Sequence, residues 1–250
     1  MSLAWPDEPE FTPYAALSTL PAQSVLVLAP HPDDEVLGCG GLIATLLQRS
    51  VPVTVVVASD GAQAGDAGRR EQESREAARV LAQGGSPLAL QFWRLPDRGL
   101  AAVPGLVGRV LHLLTTVDAD TVLLPSPFEV HPDHRALCLA GLHALRQLDR
   151  APSTWFYEVG QPLMPDVLVD ITPLLERKRQ ALRCFATQLA LQAYDEQLLA
   201  LNRYRAYTLG TRITHAEAFQ RVPAEQLAAG VDAVIDGVAQ RLRRRFSSPG

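Results

Sequence analysis

Four ionisable side chains fall within five positions of one short segment, VLVLAPHPDDEVLGCGG (residues 25–41): His31, Asp33, Asp34 and Glu35, directly after an apolar run. Further along, PSPFEVHPDH (residues 125–134) repeats the tripeptide His-Pro-Asp and brings His131, Asp133 and His134. Imidazole and carboxylate together suit zinc, and a catalytic zinc takes three protein ligands and keeps a fourth position open. His31 and Asp34, three apart on entering a helix, can turn toward a common point; His134 supplies the third ligand from the other segment. Asp33 is then a free carboxylate beside the metal. Because zinc lowers the pKa of bound water from about 16 to about 7, such a carboxylate can take the proton as that water attacks a carbonyl. This makes Asp33 the candidate general base. His131, near the metal but spare, can donate to the developing oxyanion if protonated.

Single residues in these segments also have plainer readings. Asp33 or Asp34 can cap the helix that starts near Val36. Glu35 divides between supporting a metal ligand and simple solvation. Gly38, Gly40 and Gly41 fit close helix packing, since GCGG lacks both the P-loop lysine and the dinucleotide-binding spacing.

For the two His-Pro-Asp loops to meet, they must open at one edge of one sheet. Residues 24–29 and 53–58 are short β-branched runs of buried-strand type, and the stretch 37–48 between them has helical spacing, a β-α-β order. A charged amphipathic helix over 69–81, a strand near 88–93, a helix over about 103–116, a buried strand at 121–124 and a helix from about His134 continue the alternation. This predicts an α/β fold, a mostly parallel sheet with helices on both faces, whose ligands bind at the carboxyl ends of the strands. Both loops occupy such places. After Arg150 come strands near 153–158 and 167–169 and three helical stretches, with Thr172-Pro173 as an N-cap followed by proline at the first helical position. With no linker-like run and no repeat, residues 1–250 are expected to form a single domain, with loose ends near 1–20 and 246–250.

With 47% hydrophobic and 20% charged residues, the chain can bury a substantial core. Its 23 basic and 27 acidic residues leave a net charge of −4, which points away from nucleic acid. The one basic cluster, Arg241 and Arg243 to Arg245, reads as a solvated helix C-terminus. No apolar run reaches the ~18 to 20 residues of a spanning helix, and MSLAWPDEPE is acidic where a signal peptide would be basic. A cytoplasmic protein without stable membrane insertion is expected. Cys39, Cys138 and Cys184 form no CxxC pair, which argues against a disulfide framework.

APHPDDEVLGCGG and HPDHR, in this order, resemble the zinc-dependent sugar N-deacetylases called LmbE-like or PIG-L-like. That family includes the GlcNAc-phosphatidylinositol de-N-acetylase and deacetylases of the mycothiol and bacillithiol pathways. The stretches ASDGAQAGDAGRREQESREAARVL, RLPDRGL and YEVGQPLMPDVLVDITPLLERKRQAL extend the likeness over roughly residues 23–190. The resemblance implies a Rossmann-like fold, His31, Asp34 and His134 as metal ligands, Asp33 as base and His131 as the oxyanion-stabilising histidine. It further implies removal of the N-acetyl group from an N-acetylglucosamine-type small-molecule sugar or its conjugate with zinc as the metal, although such a ligand set also accepts iron(II). Arg70 and Glu73 stand where the family has an Arg-x-x-Glu pair; they fit substrate contact through a bidentate guanidinium or an i,i+3 surface ion pair. GAQAGDAGRR departs from the family's usual Gly-Glu sequence after the second strand. The alternatives are an amidase acting on a larger acyl group or thiol conjugate, and a metal-binding regulatory protein without catalysis. A spare carboxylate at Asp33 speaks against the latter. A homo-oligomer is left open.

Overall fold

The computed structural model describes residues 9 and 11–244. Its centre is one eight-stranded sheet of β1 (Ala16–Leu17), β2 (Val25–Ala29), β3 (Val53–Ser59), β4 (Ala89–Leu95), β5 (Thr121–Pro125), β6 (Ser153–Tyr157), β7 (Val167–Asp170) and β8 (Ala216–Arg221), in the order β1-β7-β8-β6-β5-β2-β3-β4. All neighbours are parallel except β8, which runs antiparallel to both β6 and β7. Counted from β2, the strands β4-β3-β2-β5-β6 follow the Rossmann order, whose direction reverses between β2 and β5.

Strand β2 pairs with β3 on one side (Val27 opposite Val55) and with β5 on the other (Val27 opposite Leu123). Its five residues are all buried, because both faces are covered. Alternation sends Val25, Val27 and Ala29 into a core shared with α1 (Asp34–Gln48), α2 (Ala67–Leu81) and α5 (Leu175–Leu182). Leu26 and Leu28 enter the opposite core, under α3 (Leu106–Val117), α4 (Pro132–Leu145), α8 (Ala224–Ala229) and α9 (Val231–Arg244).

Helix α1 lies close against its neighbours because its glycines leave room. A Cβ on Gly38 would run into the Tyr157 ring, and one on Gly41 into Ile171. Over Gly41 sits the buried Glu217 of β8, whose carboxylate accepts from Gly41 N (2.7 Å) and Leu42 N (2.8 Å). Lys178 of α5 donates to Glu217 Oε1 (2.7 Å), to Leu37 O (2.9 Å) and to Asn202 Oδ1 (2.9 Å) on α7 (Tyr194–Arg205). This buried ion pair is fully hydrogen-bonded, which burial of charge demands.

Several expectations are corrected. β8 was not foreseen. The segment before residue 20 is tied down from Ala16, which pairs with Leu168 at the sheet edge, and Leu20 is 1% exposed. Thr172-Pro173 lies inside a 3-10 turn, Thr172–Leu174, whose cap is Ile171; Asp170 Oδ1 accepts from Thr172 N at 2.8 Å, and α5 begins after it. Two further helices, α8 and α9, follow α5, α6 (Ala186–Leu189) and α7. Arg241 is only half-exposed and donates to Pro165 O (3.0 Å), while Arg245 and residues 246–250 lie outside the described residues. Among the described residues no helix is long and apolar enough to cross a membrane.

Candidate metal centre

The loops that follow β2 and β5 open side by side at the reversal of strand order, where open α/β sheets bind ligands. They bring three donor atoms together. His31 Nδ1 lies 3.1 Å from Asp34 Oδ2 and 3.2 Å from His134 Nε2, and His134 Nε2 lies 3.0 Å from Asp34 Oδ2. An ion bound tetrahedrally at about 2.0–2.1 Å holds its ligands roughly 3.3 Å apart, so this nearly equilateral triangle of two imidazoles and a carboxylate fits one divalent metal. His131 turns to the same point: its ring centroid is 4.4 Å from that of His31 and 5.5 Å from that of His134. Ring nitrogens of these three histidines fall within 4.8 Å of one another.

Carboxylates stand behind both imidazoles. His31 Nε2 is 3.3 Å from Asp133 Oδ2 and 3.3 Å from Asp97 Oδ1. Asp133 is itself fixed by Arg98 N (2.6 Å) and Leu100 N (3.1 Å), and Asp97 by Gln63 N (3.0 Å). His134 Nδ1 faces Glu129 Oε2 at 3.6 Å, an ion-pair distance too long for a hydrogen bond; Glu129 accepts from Val159 N (2.7 Å) and Gly160 N (2.9 Å). Partners of this kind orient metal-binding histidines and raise their basicity. They also make the pocket demand a cation. Burial alone would lower the pKa of His31, but the bonds to Asp133, Asp34 and Asp97 outweigh it and push it up to about 11. For His134 the same contest, decided by Asp34, ends at about 9. Despite burial, the two imidazoles hold Asp34 well below the usual carboxylate range.

Asp33 precedes helix α1 with φ 124° and ψ −32°, a region a non-glycine residue enters at a cost of about 1–3 kcal/mol. Its side chain makes no capping bond, so the capping alternative does not hold for it. Instead Asp33 Oδ2 accepts from Arg70 Nη2 at 3.2 Å. Burial, with Asp34 and Glu35 adding to it against the pull of Arg70, pushes the Asp33 carboxyl up to about 8. Glu35 is buried, not solvated, and its Oε2 accepts from Asp33 N at 3.0 Å, bracing the strained turn.

Three further expectations change. Arg70 is 3% exposed and spends its guanidinium on Gly61 O (2.9 Å), Pro32 O (2.7 Å) and Asp33. Glu73 is 0% exposed and accepts from Thr187 N (3.0 Å) and Thr187 Oγ1 (2.6 Å), with Arg69 rather than Arg70 as its 3.4 Å ion-pair partner. Both are thus buried and hydrogen-bonded within the protein, Arg70 directly beside Asp33. His131 Nδ1 accepts from Asp133 N at 3.2 Å, which leaves the proton on Nε2, and burial together with His31 and His134 lowers its pKa. It is poised to donate as a neutral imidazole rather than a protonated one. Sequence reasoning gave no role to Asp97 or Glu129. For Glu129 a pattern was there to read: an acid between two large apolar residues in a loop.

Residues 26–145 match the profile of the PIG-L family, GlcNAc-PI de-N-acetylase. A diacetylchitobiose deacetylase from Thermococcus kodakarensis is 26% identical, over 80% of this chain and 84% of its own. A probable N-acetyl-alpha-D-glucosaminyl L-malate deacetylase 2 from Bacillus anthracis is 29% identical, over 68% of this chain and 84% of its own. A relative with another activity, 4-oxalmesaconate hydratase from Pseudomonas putida, is 24% identical over 81% and 90%. In structure, N,N'-diacetylchitobiose deacetylase from Pyrococcus horikoshii superposes with a TM-score of 0.70 at 24% identity, over 81% of this chain and 85% of its own. The matched span contains both His-Pro-Asp loops and the strands that bring them together, and over that span the chain is similar to the PIG-L, or LmbE-like, deacetylases.

Proposed function

We propose that the protein removes the N-acetyl group from an N-acetylglucosamine-type amino sugar or its conjugate, with zinc held by His31 Nδ1, Asp34 Oδ2 and His134 Nε2. The observation that carries this reading is the 3.0–3.2 Å donor triangle with the strained carboxylate of Asp33, held by Arg70, next to it. When bound, the ion supplies Lewis acidity toward an amide carbonyl and toward water. Asp33, oriented by Arg70, takes a proton from the attacking water and delivers it to the nitrogen as the C–N bond breaks, releasing acetate and the free amine. The Nε2–H of His131 donates to the carbonyl oxygen as that atom gains negative charge.

The test is incubation of the metal-loaded protein with N-acetylglucosamine and its glycosides, with free amine and acetate both quantified. Equal amounts of the two products, abolished by a chelator and restored by zinc or iron(II), are expected. The hydratase relative sets the contrasting assay, addition of water to 4-oxalmesaconate. Hydration without amine release from any acylated amino sugar would overturn the deacetylase reading.

A further inference from the structure

The loop from Ser126 to His131 is built the wrong way round for a surface loop. Its polar group Glu129 points inward and is buried, while Phe128 and Val130 on either side are 45% and 67% exposed. The loop is also pinned. Glu129 holds Val159 N and Gly160 N, Arg135 Nη1 donates to Glu129 O (2.8 Å) and Val130 O (2.6 Å), and Phe128 N donates to Ser126 Oγ (3.3 Å). Two large apolar side chains are thus held out to solvent on rigid backbone. Val130 adjoins His131, and the Cα of Phe128 is at most about 11 Å from that of His131.

We propose that Phe128 and Val130 form an apolar lip to the metal pocket that selects acylated amino sugars carrying an apolar aglycone, an aryl or alkyl group, over the free sugar. This rests on the deacetylase reading and adds the substrate class to it. The floor of the pocket, made by His31, Asp33, Asp34, His131 and His134, suits a polar amide. A ligand spanning floor and lip is polar at the scissile bond and apolar beyond it. Area argues for a small ligand rather than a second copy of the chain: the two side chains expose together about 200 Å², whereas a stable dimer buries about 800 Å² on each partner. A short aryl or alkyl group covers an area of the former size, and a pre-ordered loop spares the entropy of arranging it.

The experiment compares N-acetylglucosamine with its 4-nitrophenyl and octyl glycosides, using the parent, a Phe128→Ala/Val130→Ala double variant, and Leu139→Ala as a control for loss of exposed apolar surface elsewhere on α4. The parent is expected to favour the glycosides by about ten- to a hundredfold in kcat/KM, mainly through KM. The double variant should lose that preference while keeping the parent's kcat/KM on the free sugar, and the Kd of the deacetylated octyl product, measured by calorimetry, should weaken in parallel. The control should behave as the parent. A parent that treats all three substrates alike, or a double variant that keeps the preference, overturns the lip. So does a double variant that changes only the mass of the particle in light scattering, which would assign the residues to self-association. A parent inactive on all three overturns the deacetylase reading itself, and this is seen before any variant is made.

Discussion

Asp33 combines an unfavourable backbone with a carboxylate paired to Arg70, and the substitution that separates the two is Asp33→Asn. Asparagine keeps the side-chain shape and, like aspartate, tolerates positive φ better than most residues, so the turn at φ 124° should survive. It cannot accept a proton. The variant should keep its metal and lose about 100- to 10,000-fold in kcat, measured by steady-state amine release alongside elemental analysis. Metal loss instead would mean that Asp33 and Asp34 exchange roles. His134→Ala removes one corner of the donor triangle and leaves Glu129 facing a void, so zinc per chain should fall well below that of the parent; undiminished zinc would remove His134 from the ligand set. His131→Ala should retain metal and lose about 100- to 1,000-fold in kcat. On the proposed role of His131 as a neutral donor, the alkaline side of the pH–rate profile should stay where it is in the parent. A shift of that limb would restore the protonated donor.

Helix α1 is closely packed where its glycines face Tyr157 and Ile171. Gly41→Ala places a methyl against Ile171 and 3.1 Å from Glu217 Oε1, so the helix must move off β8 or the ion pair must shift. A loss of about 1–3 kcal/mol is expected, read from the midpoint of urea unfolding; an unchanged midpoint would show that the contact yields freely. The central strands and α1 were legible in the sequence because their apolar runs and helical spacing are local properties. So was the meeting of the two His-Pro-Asp loops at one sheet edge, since each directly follows a buried strand. Strand β8 was not: AEAFQR offers two alanines and three polar residues where a buried strand is expected. Its code is non-local, because Glu217 is tolerated inside only through Lys178 from α5 and two amides of α1. The partners of Arg70 were hidden for the same reason: only the fold shows its guanidinium donating to Gly61 O, Pro32 O and Asp33.

For the whole molecule, the concentration of carboxylates around two imidazoles links stability to pH. In the metal-free protein His31 is raised to about 11, His134 to about 9 and Asp33 to about 8, so the folded state holds more protons than the unfolded one across that range. Stability from these groups is present at low pH and is lost as pH rises through the folded values. Asp97, lowered to about 2, acts in the opposite sense but has completed its contribution by about pH 4. The Tm of metal-free protein should therefore fall between pH 6.5 and 9, while zinc, which replaces the protons on the imidazoles, should raise Tm increasingly over the same interval. Scanning calorimetry with and without zinc checks both signs, and a metal-free Tm that climbs with pH would contradict the charge balance. The order of strands carries a different consequence, for synthesis. Among the described residues, β7 and β1 reach the rest of the sheet only through β8, the last of the described strands to be made by the ribosome. Until Ala216–Arg221 emerges, the edge of β6, with Trp155, Phe156 and Tyr157, has no partner on that side. At about 5–20 residues per second this lasts roughly 3 to 13 s. For that interval the nascent chain carries a bare aromatic strand edge, the kind of template on which neighbouring chains pair, and its yield in a cell depends on translation speed and on chaperones that cover such edges.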